Sequence, residues 1–210
     1  GQDPASVEHL CARVNEASER MNAYVEATAG RYLDEGRTVA VIGGEHSVPL
    51  GLIKAVSERH PGVGILHVDA HSDTRAAYEG FTFSHASIMY NVMRTCPGVS
   101  RIVQVGIRDF CSSEHALVTS SPLFVPFTDF KLKERLFTGS SWDSVCGDVI
   151  SSLPEDVYVS FDIDGLSPEY CPGTGTPVPG GLTFSQADWL LWRLVGSGRR
   201  IVGFDLCEVA

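Results

Sequence analysis

Short apolar runs, separated by stretches of helical spacing, constrain this chain more than any other feature. Thr38–Ile42, Val63–Val68, Arg101–Val105, Val157–Phe161 and Arg200–Phe204 are nearly unbroken runs of β-branched and aliphatic residues, with Leu123–Pro126 as a further, shorter candidate. A strand with one wet face alternates apolar and polar residues, whereas a strand buried on both faces does not. The stretch over residues 5–30 has helical spacing, with Leu10, Val14, Ala17, Met21, Tyr24 and Val25 on one side. Helices are also expected from Pro49 to Arg59, His85 to Arg94, Trp142 to Leu153 and Phe184 to Val195. Strand and helix therefore alternate. That order predicts an α/β fold, a three-layer αβα sandwich with a mostly parallel central sheet, and Thr38–Ile42 as one of its buried strands. The Pro- and Gly-rich stretch from Cys171 to Leu182 reads as a structured loop. With no repeat or composition shift along its 210 residues, the chain is expected to form one domain over 1–210.

In open parallel sheets, ligands bind outside the carboxyl ends of the strands. The chain places its chemistry there. The first run ends in Gly43-Gly44-Glu45-His46-Ser47, the second in Asp69-Ala70-His71-Ser72-Asp73, another in Asp162-Ile163-Asp164 and the last in Asp205-Leu206-Cys207-Glu208. In an extended segment, residues i, i+2 and i+4 share a face. If that geometry persists, Asp69, His71 and Asp73 converge, as do Asp162 and Asp164, and His46 joins them. Each feature alone is weak, since an Asp at a strand end is usually a helix cap or a solvated loop residue. His67 is expected in the core, and His9, His60 and His115 at the surface or in turns. The coincidence of all six groups in one crevice is what points to a metal site.

Electrostatics sharpens that reading. Two carboxylates about 4 Å apart repel by roughly 4 kcal/mol at an effective dielectric near 20. Two divalent ions balance four such charges, with two imidazoles as neutral ligands. An oxygen-rich set with some imidazole suits manganese. Two such ions can share a water and make it hydroxide near neutral pH. That is a nucleophile fit for a poor electrophile such as the guanidinium carbon. Glu208 is then a candidate to hold the cation, and His85 a candidate proton donor to the departing amine.

The bulk numbers narrow the alternatives. A net charge of −10 argues against nucleic acid, whose binding rests on Lys and Arg. No run approaches the roughly 18 apolar residues of a membrane helix. Six scattered cysteines without a CxxC pair suit reduced thiols in a cytoplasmic protein.

The motifs Gly43-Gly-Glu-His-Ser47, Asp69-Ala-His-Ser-Asp73 and Ser160-Phe-Asp-Ile-Asp-Gly-Leu166, followed by Pro172-Gly-Thr-Gly-Thr-Pro177, resemble the signatures of the arginase and agmatinase family of ureohydrolases. The resemblance runs from about Val39 to Glu208. It implies an arginase-like fold and two Mn2+ per subunit. His46, Asp69, Asp73 and Asp162 would hold one ion, and Asp69, His71, Asp162 and Asp164 the other, with Asp69 and Asp162 bridging. It gives His85 a proton shuttle's role, places Glu208 against the guanidinium, and has Asp73 steady the tetrahedral intermediate. It also implies a trimer or hexamer. Phe81-Thr-Phe-Ser-His-Ala-Ser87 resembles the agmatinase form, and Thr74-Arg75 stands where arginases tend to carry Asn. Hydrolysis of agmatine to putrescine and urea is therefore expected first, with arginase or guanidinobutyrase activity, or a non-catalytic relative binding guanidino compounds or polyamines, as alternatives. A two-metal phosphoesterase would need a basic residue near the metals, for which Arg75 and Arg108 are the candidates. Ser167 replaces the family's usual Asp, which predicts a locally altered loop. The family is longer at both ends, so the chain is expected to be a fragment of a longer protein.

Overall fold

A computed structural model describes residues 4–210. In chain order the elements are α1 (Pro4–Asp34), β1 (Val39–Ile42), α2 (Leu50–Arg59), β2 (Val63–Val68), α3 (Ile88–Thr95), β3 (Val99–Val105), α4 (Ser112–Ser120), β4 (Phe124–Phe127), α5 (Asp129–Phe137), α6 (Trp142–Ser151), β5 (Asp156–Asp162), α7 (Phe184–Gly196) and β6 (Arg200–Cys207). The strands form one sheet in the order β1-β6-β5-β2-β3-β4, with every pairing parallel. No helix among the described residues is long and apolar enough to cross a membrane.

Alternation along the central strands feeds two cores. Ile65 and Tyr158 pack with Ile53 and Val56 of α2 and with Ile88 and Val92 of α3 on one face. Leu66, Val68, Val157 and Val159 pack with Val145 and Val149 of α6 and with Leu190 and Leu194 of α7 on the other. Full burial of each such side chain contributes roughly 1.5–3 kcal/mol. All six residues of β2 are buried, as its unbroken apolar run predicts.

The structure differs from the sequence reading in three places. β1 is not a buried strand: it lies at the sheet edge with one neighbour, alternates between half-buried and exposed residues, and leaves Ile42 70% exposed. The buried stripe of α1 is also displaced. Leu10, Val14 and Tyr24 are exposed, while Asn22 and Ala29 are buried, because the face meeting α2 is rotated from the one the apolar residues mark. Finally, α4 and α5 are helices that the apolar pattern does not announce. Cysteines 11, 96, 111, 146, 171 and 207 are all free thiols.

Candidate metal centre

The residues marked at the strand ends lie at the carboxyl edge of the sheet, held by turns and not by continued strands. The first turn runs through Gly43 and Gly44, both at positive φ, where a side chain would be strained. It carries His46 to the end of β2. The chain leaves β2 at Val68 and bends back, and Asp73 adopts φ +54°. After β5, Ile163–Gly165 forms a 3₁₀ turn in which Asp164 N–H donates to Asp162 Oδ1 at 2.9 Å. A Cβ on Gly165 would lie 2.9 Å from Asp69 N, so only glycine lets this turn rest against β2.

These turns correct the extended geometry expected for both acidic motifs, and they divide the groups into two adjoining sets. In the first, His46 Nδ1 lies 3.1 Å from Asp69 Oδ2, 3.1 Å from Asp73 Oδ2 and 3.4 Å from Asp162 Oδ2. In the second, His71 Nδ1 lies 3.1 Å from Asp164 Oδ2 and 3.5 Å from Asp69 Oδ1. Asp69 belongs to both. Asp162 faces His46 and has its other oxygen engaged by Asp164 N–H.

A ring nitrogen carries at most one hydrogen, yet three carboxylate oxygens crowd His46 Nδ1. All are buried, with side-chain exposures of 1–5%. Burial, and then the neighbouring Asp69 charge, push Asp73 up to about 8 and Asp162 up to about 10. Burial works against a charged His71, but its bonds to Asp164 and Asp69 raise it to about 11. His46, also opposed by burial, is raised by Asp69 and Asp73. The cluster thus gathers positive charge wherever it can, as protons on both carboxylates and imidazoles. Divalent cations meet the same demand, and the oxygen-rich donor set with two imidazoles fits manganese.

Beneath the first set lies a polar layer that the strand-end pattern misses. His46 Nε2 is 2.9 Å from Ser160 Oγ, and Ser160 donates to Asp205 Oδ1 at 3.2 Å. His67, buried as expected, lies 2.8 Å from Asp69 Oδ2. The signal for His67 and Ser160 is their position two residues before Asp69 and Asp162, and so on the same strand face.

The second set opens into a cleft of about 140 Å³ lined by His71, Asp73, Tyr78, His85, Asp109 and Thr176, among others. His85 is 43% exposed there, with Nδ1 3.8 Å from Glu45 Oε2. Glu208, at φ +60°, accepts from His46 N–H at 3.0 Å and donates its own N–H to Gly44 O. The two basic candidates differ: Arg108 is taken up by carbonyls, whereas Arg75 lines the cleft at 38% exposure with only its Nε paired among the described residues. Arg108 donates to the carbonyls of Gly106, Asp164, Leu166 and Val178, and Arg75 pairs with buried Glu114. Ser167 lies in a tight loop, its N–H donating to Leu182 O at 2.8 Å.

A family model described as the arginase family matches residues 6–210. The chain is 32% identical over 193 residues to an N(1)-aminopropylagmatine ureohydrolase of Thermus thermophilus, covering 92% of this chain and 62% of that protein. It is 32% identical over 187 residues to an agmatinase of Bacillus anthracis, covering 89% and 60%. The crystal structure of the agmatine ureohydrolase of Thermoplasma volcanium superposes with a TM-score of 0.74 at 30% identity, covering 92% of this chain and 61% of that one. The chain thus spans about three fifths of the length of these relatives.

Proposed function

Because the chain belongs to the arginase family, we propose that it hydrolyses a guanidino compound to urea and an amine, with agmatine as the first substrate to try. One observation carries the reading: two imidazole–carboxylate sets share buried Asp69, and one member of each, Asp73 and His71, lines a cleft together with His85. His46, Asp69, Asp73 and Asp162 would hold one manganese ion, and Asp69, His71 and Asp164 the other, with Asp162 assigned to both by the family pattern. Such a pair supplies Lewis acidity that makes water nucleophilic near neutral pH.

The remaining steps belong to side chains. Glu208 keeps one oxygen on His46 N–H and can offer the other to the guanidinium in a charge-assisted hydrogen bond. Asp73, on the cleft wall, accepts a hydrogen bond from the amino groups as the carbon becomes tetrahedral. When the C–N bond breaks, the leaving amine needs a proton. His85 is exposed enough to exchange a proton with solvent, and its Nδ1 lies 3.8 Å from Glu45 Oε2. Thr74-Arg75 and the Phe81–Ser87 stretch support agmatine over arginine, as does the similarity to the Bacillus anthracis agmatinase. A homo-oligomer in the reducing cytoplasm, which suits six free thiols, belongs to the same reading.

The test is urea release by the manganese-loaded protein from agmatine, arginine and guanidinobutyrate. Manganese-dependent urea from agmatine supports the proposal. If two bound ions give no urea from any of the three, hydrolysis is wrong; calorimetric binding of agmatine without turnover would then mark a binding protein.

A further inference from the structure

His67 groups by distance with His46, Asp69 and Asp73 as a residue able to hold an ion. Its hydrogen bonds say otherwise. Ser72 O is a carbonyl and can only accept, so the Gln104 atom 2.9 Å from it is the amide nitrogen. The same NH2 group lies 3.2 Å from His67 Nδ1. Its second hydrogen points there, and His67 Nδ1 must accept it with its lone pair. Gln104 Oε1 has no partner among the described residues, so no competing bond favours the flipped amide. In a neutral imidazole whose Nδ1 accepts, the hydrogen sits on Nε2. That nitrogen is 2.8 Å from Asp69 Oδ2 and therefore donates to it. A nitrogen carrying a hydrogen has no lone pair for a metal.

We propose that His67 is a positioning residue for Asp69, set by Gln104, and not a metal ligand. An ionised carboxylate offers about four lone-pair positions, two on each oxygen. The His67 N–H takes one on Oδ2, and the backbone N–H of His71 takes one on Oδ1 at 2.6 Å. One position is left on each oxygen. The one on Oδ2 faces His46 Nδ1 at 3.1 Å, and the one on Oδ1 faces His71 Nδ1 at 3.5 Å. Two donors thus hold the carboxylate so that its oxygens serve different sites. His67 and Gln104 are 0% and 1% exposed, so water does not compete for these bonds. The inference rests on the reading that Asp69 bridges two cations.

Two measurements test it. In the ion-free protein with 15N-labelled histidine, long-range 1H–15N correlations should show His67 protonated at Nε2 and bare at Nδ1. A proton on Nδ1 overturns the proposal. The second measurement compares manganese affinity by calorimetry and ion content by elemental analysis. His67→Leu should weaken manganese binding by about 10–100-fold, as loss of an outer-sphere partner of a ligand does. His67→Gln keeps an N–H donor in the place of Nε2 and should stay within a few-fold of wild type. Unchanged binding by His67→Leu, or loss of an ion by His67→Gln, overturns the positioning role. If His67→Leu does not fold, the nuclear magnetic resonance measurement and His67→Gln still decide. Wild-type protein that binds no divalent ion while His67 shows the expected tautomer defeats the metal-site reading, and the positioning role falls with it.

Discussion

The His46 half of the site and the His71 half are built from the same donors and share Asp69, yet they meet water differently. His46 is 1% exposed and is faced by three carboxylates with side-chain exposures of 1–5%. Behind it stand Ser160 and Asp205, themselves buried. The His71 side chain is 24% exposed and looks into the cleft, with Asp109, 63% exposed, 3.9 Å from its outer nitrogen. Desolvation raises the cost of every uncompensated charge in the first half, whereas in the second the imidazole meets solvent although Asp69 and Asp164 stay buried. The difference predicts that the loss of a charge is felt more strongly around His46 than around His71.

Removing each histidine from the ion-free protein is the harshest way to break this comparison. Loss of one partner from a buried charged cluster costs about 3–5 kcal/mol. His46→Leu should therefore lower unfolding free energy by about 3 kcal/mol in urea titrations. His71→Leu also takes a partner from buried Asp69 and Asp164, but the His71 side chain is 24% exposed and water can reach its place, so the loss should be smaller than for His46→Leu. Equal losses would show that the two halves are energetically alike.

Titration sharpens the contrast, and the sign follows from the shifts. Asp73 and Asp162, raised to about 8 and about 10, hold protons more tightly folded than unfolded. Their stabilisation is fully present below the ordinary carboxylate value and is lost as pH rises through 8 and 10. His71, raised to about 11, and His46, also raised, act in the same sense: their contribution is fully present below the ordinary imidazole value and is lost as pH climbs through the folded one. The ion-free protein should therefore lose stability progressively as pH rises from about 4 to about 11. A metal must displace those protons, so manganese affinity should rise with pH, by up to about tenfold per pH unit for each proton displaced. Melting temperatures with and without manganese should diverge as pH increases. A constant gap across this range would mean that the carboxylates are already ionised in the ion-free fold.

How much of this was legible in the sequence depends on which force fixes each part. Burial on both faces wrote β2 and β5 into the chain as unbroken apolar runs, and the parallel sheet placed the chemistry at their carboxyl ends. β1 has a similar run but lies at the edge. Composition reports which residues tolerate burial, not which neighbours arrive. Helices α4 and α5 were hidden because few of their residues face the core. α4 buries Glu114 and Val118, and α5 buries Asp129 and Leu132 while exposing Phe130 and Phe137. Within the site, spacing made the residue types readable, while their division into two sets was legible only through the family resemblance. That division comes from the positive φ at Asp73 and the 3₁₀ turn after Asp162, which local spacing does not encode. The roles of His67 and Gln104 depend on hydrogen bonds between neighbouring strands, which only the register of β2 on β3 supplies.

The gentlest perturbation tests whether the halves can be tuned apart. Thr176 Oγ1 donates to Asp164 Oδ2 at 3.2 Å on the cleft side, and among the described residues no hydrogen bond joins the Thr176 side chain to the His46 set. Thr176→Val keeps the shape and removes that donor, at a cost of about 1 kcal/mol. Asp164 stays anchored, because Ala70 N–H still holds its other oxygen at 3.1 Å. The carboxylate should therefore lose orientation without leaving the site. Manganese titration by calorimetry should show the weaker of two binding steps shifted by about fivefold, the equivalent of that energy, with the tighter step unmoved. A shift shared by both steps would mean that Asp69 couples the two sites so strongly that neither half can be adjusted alone.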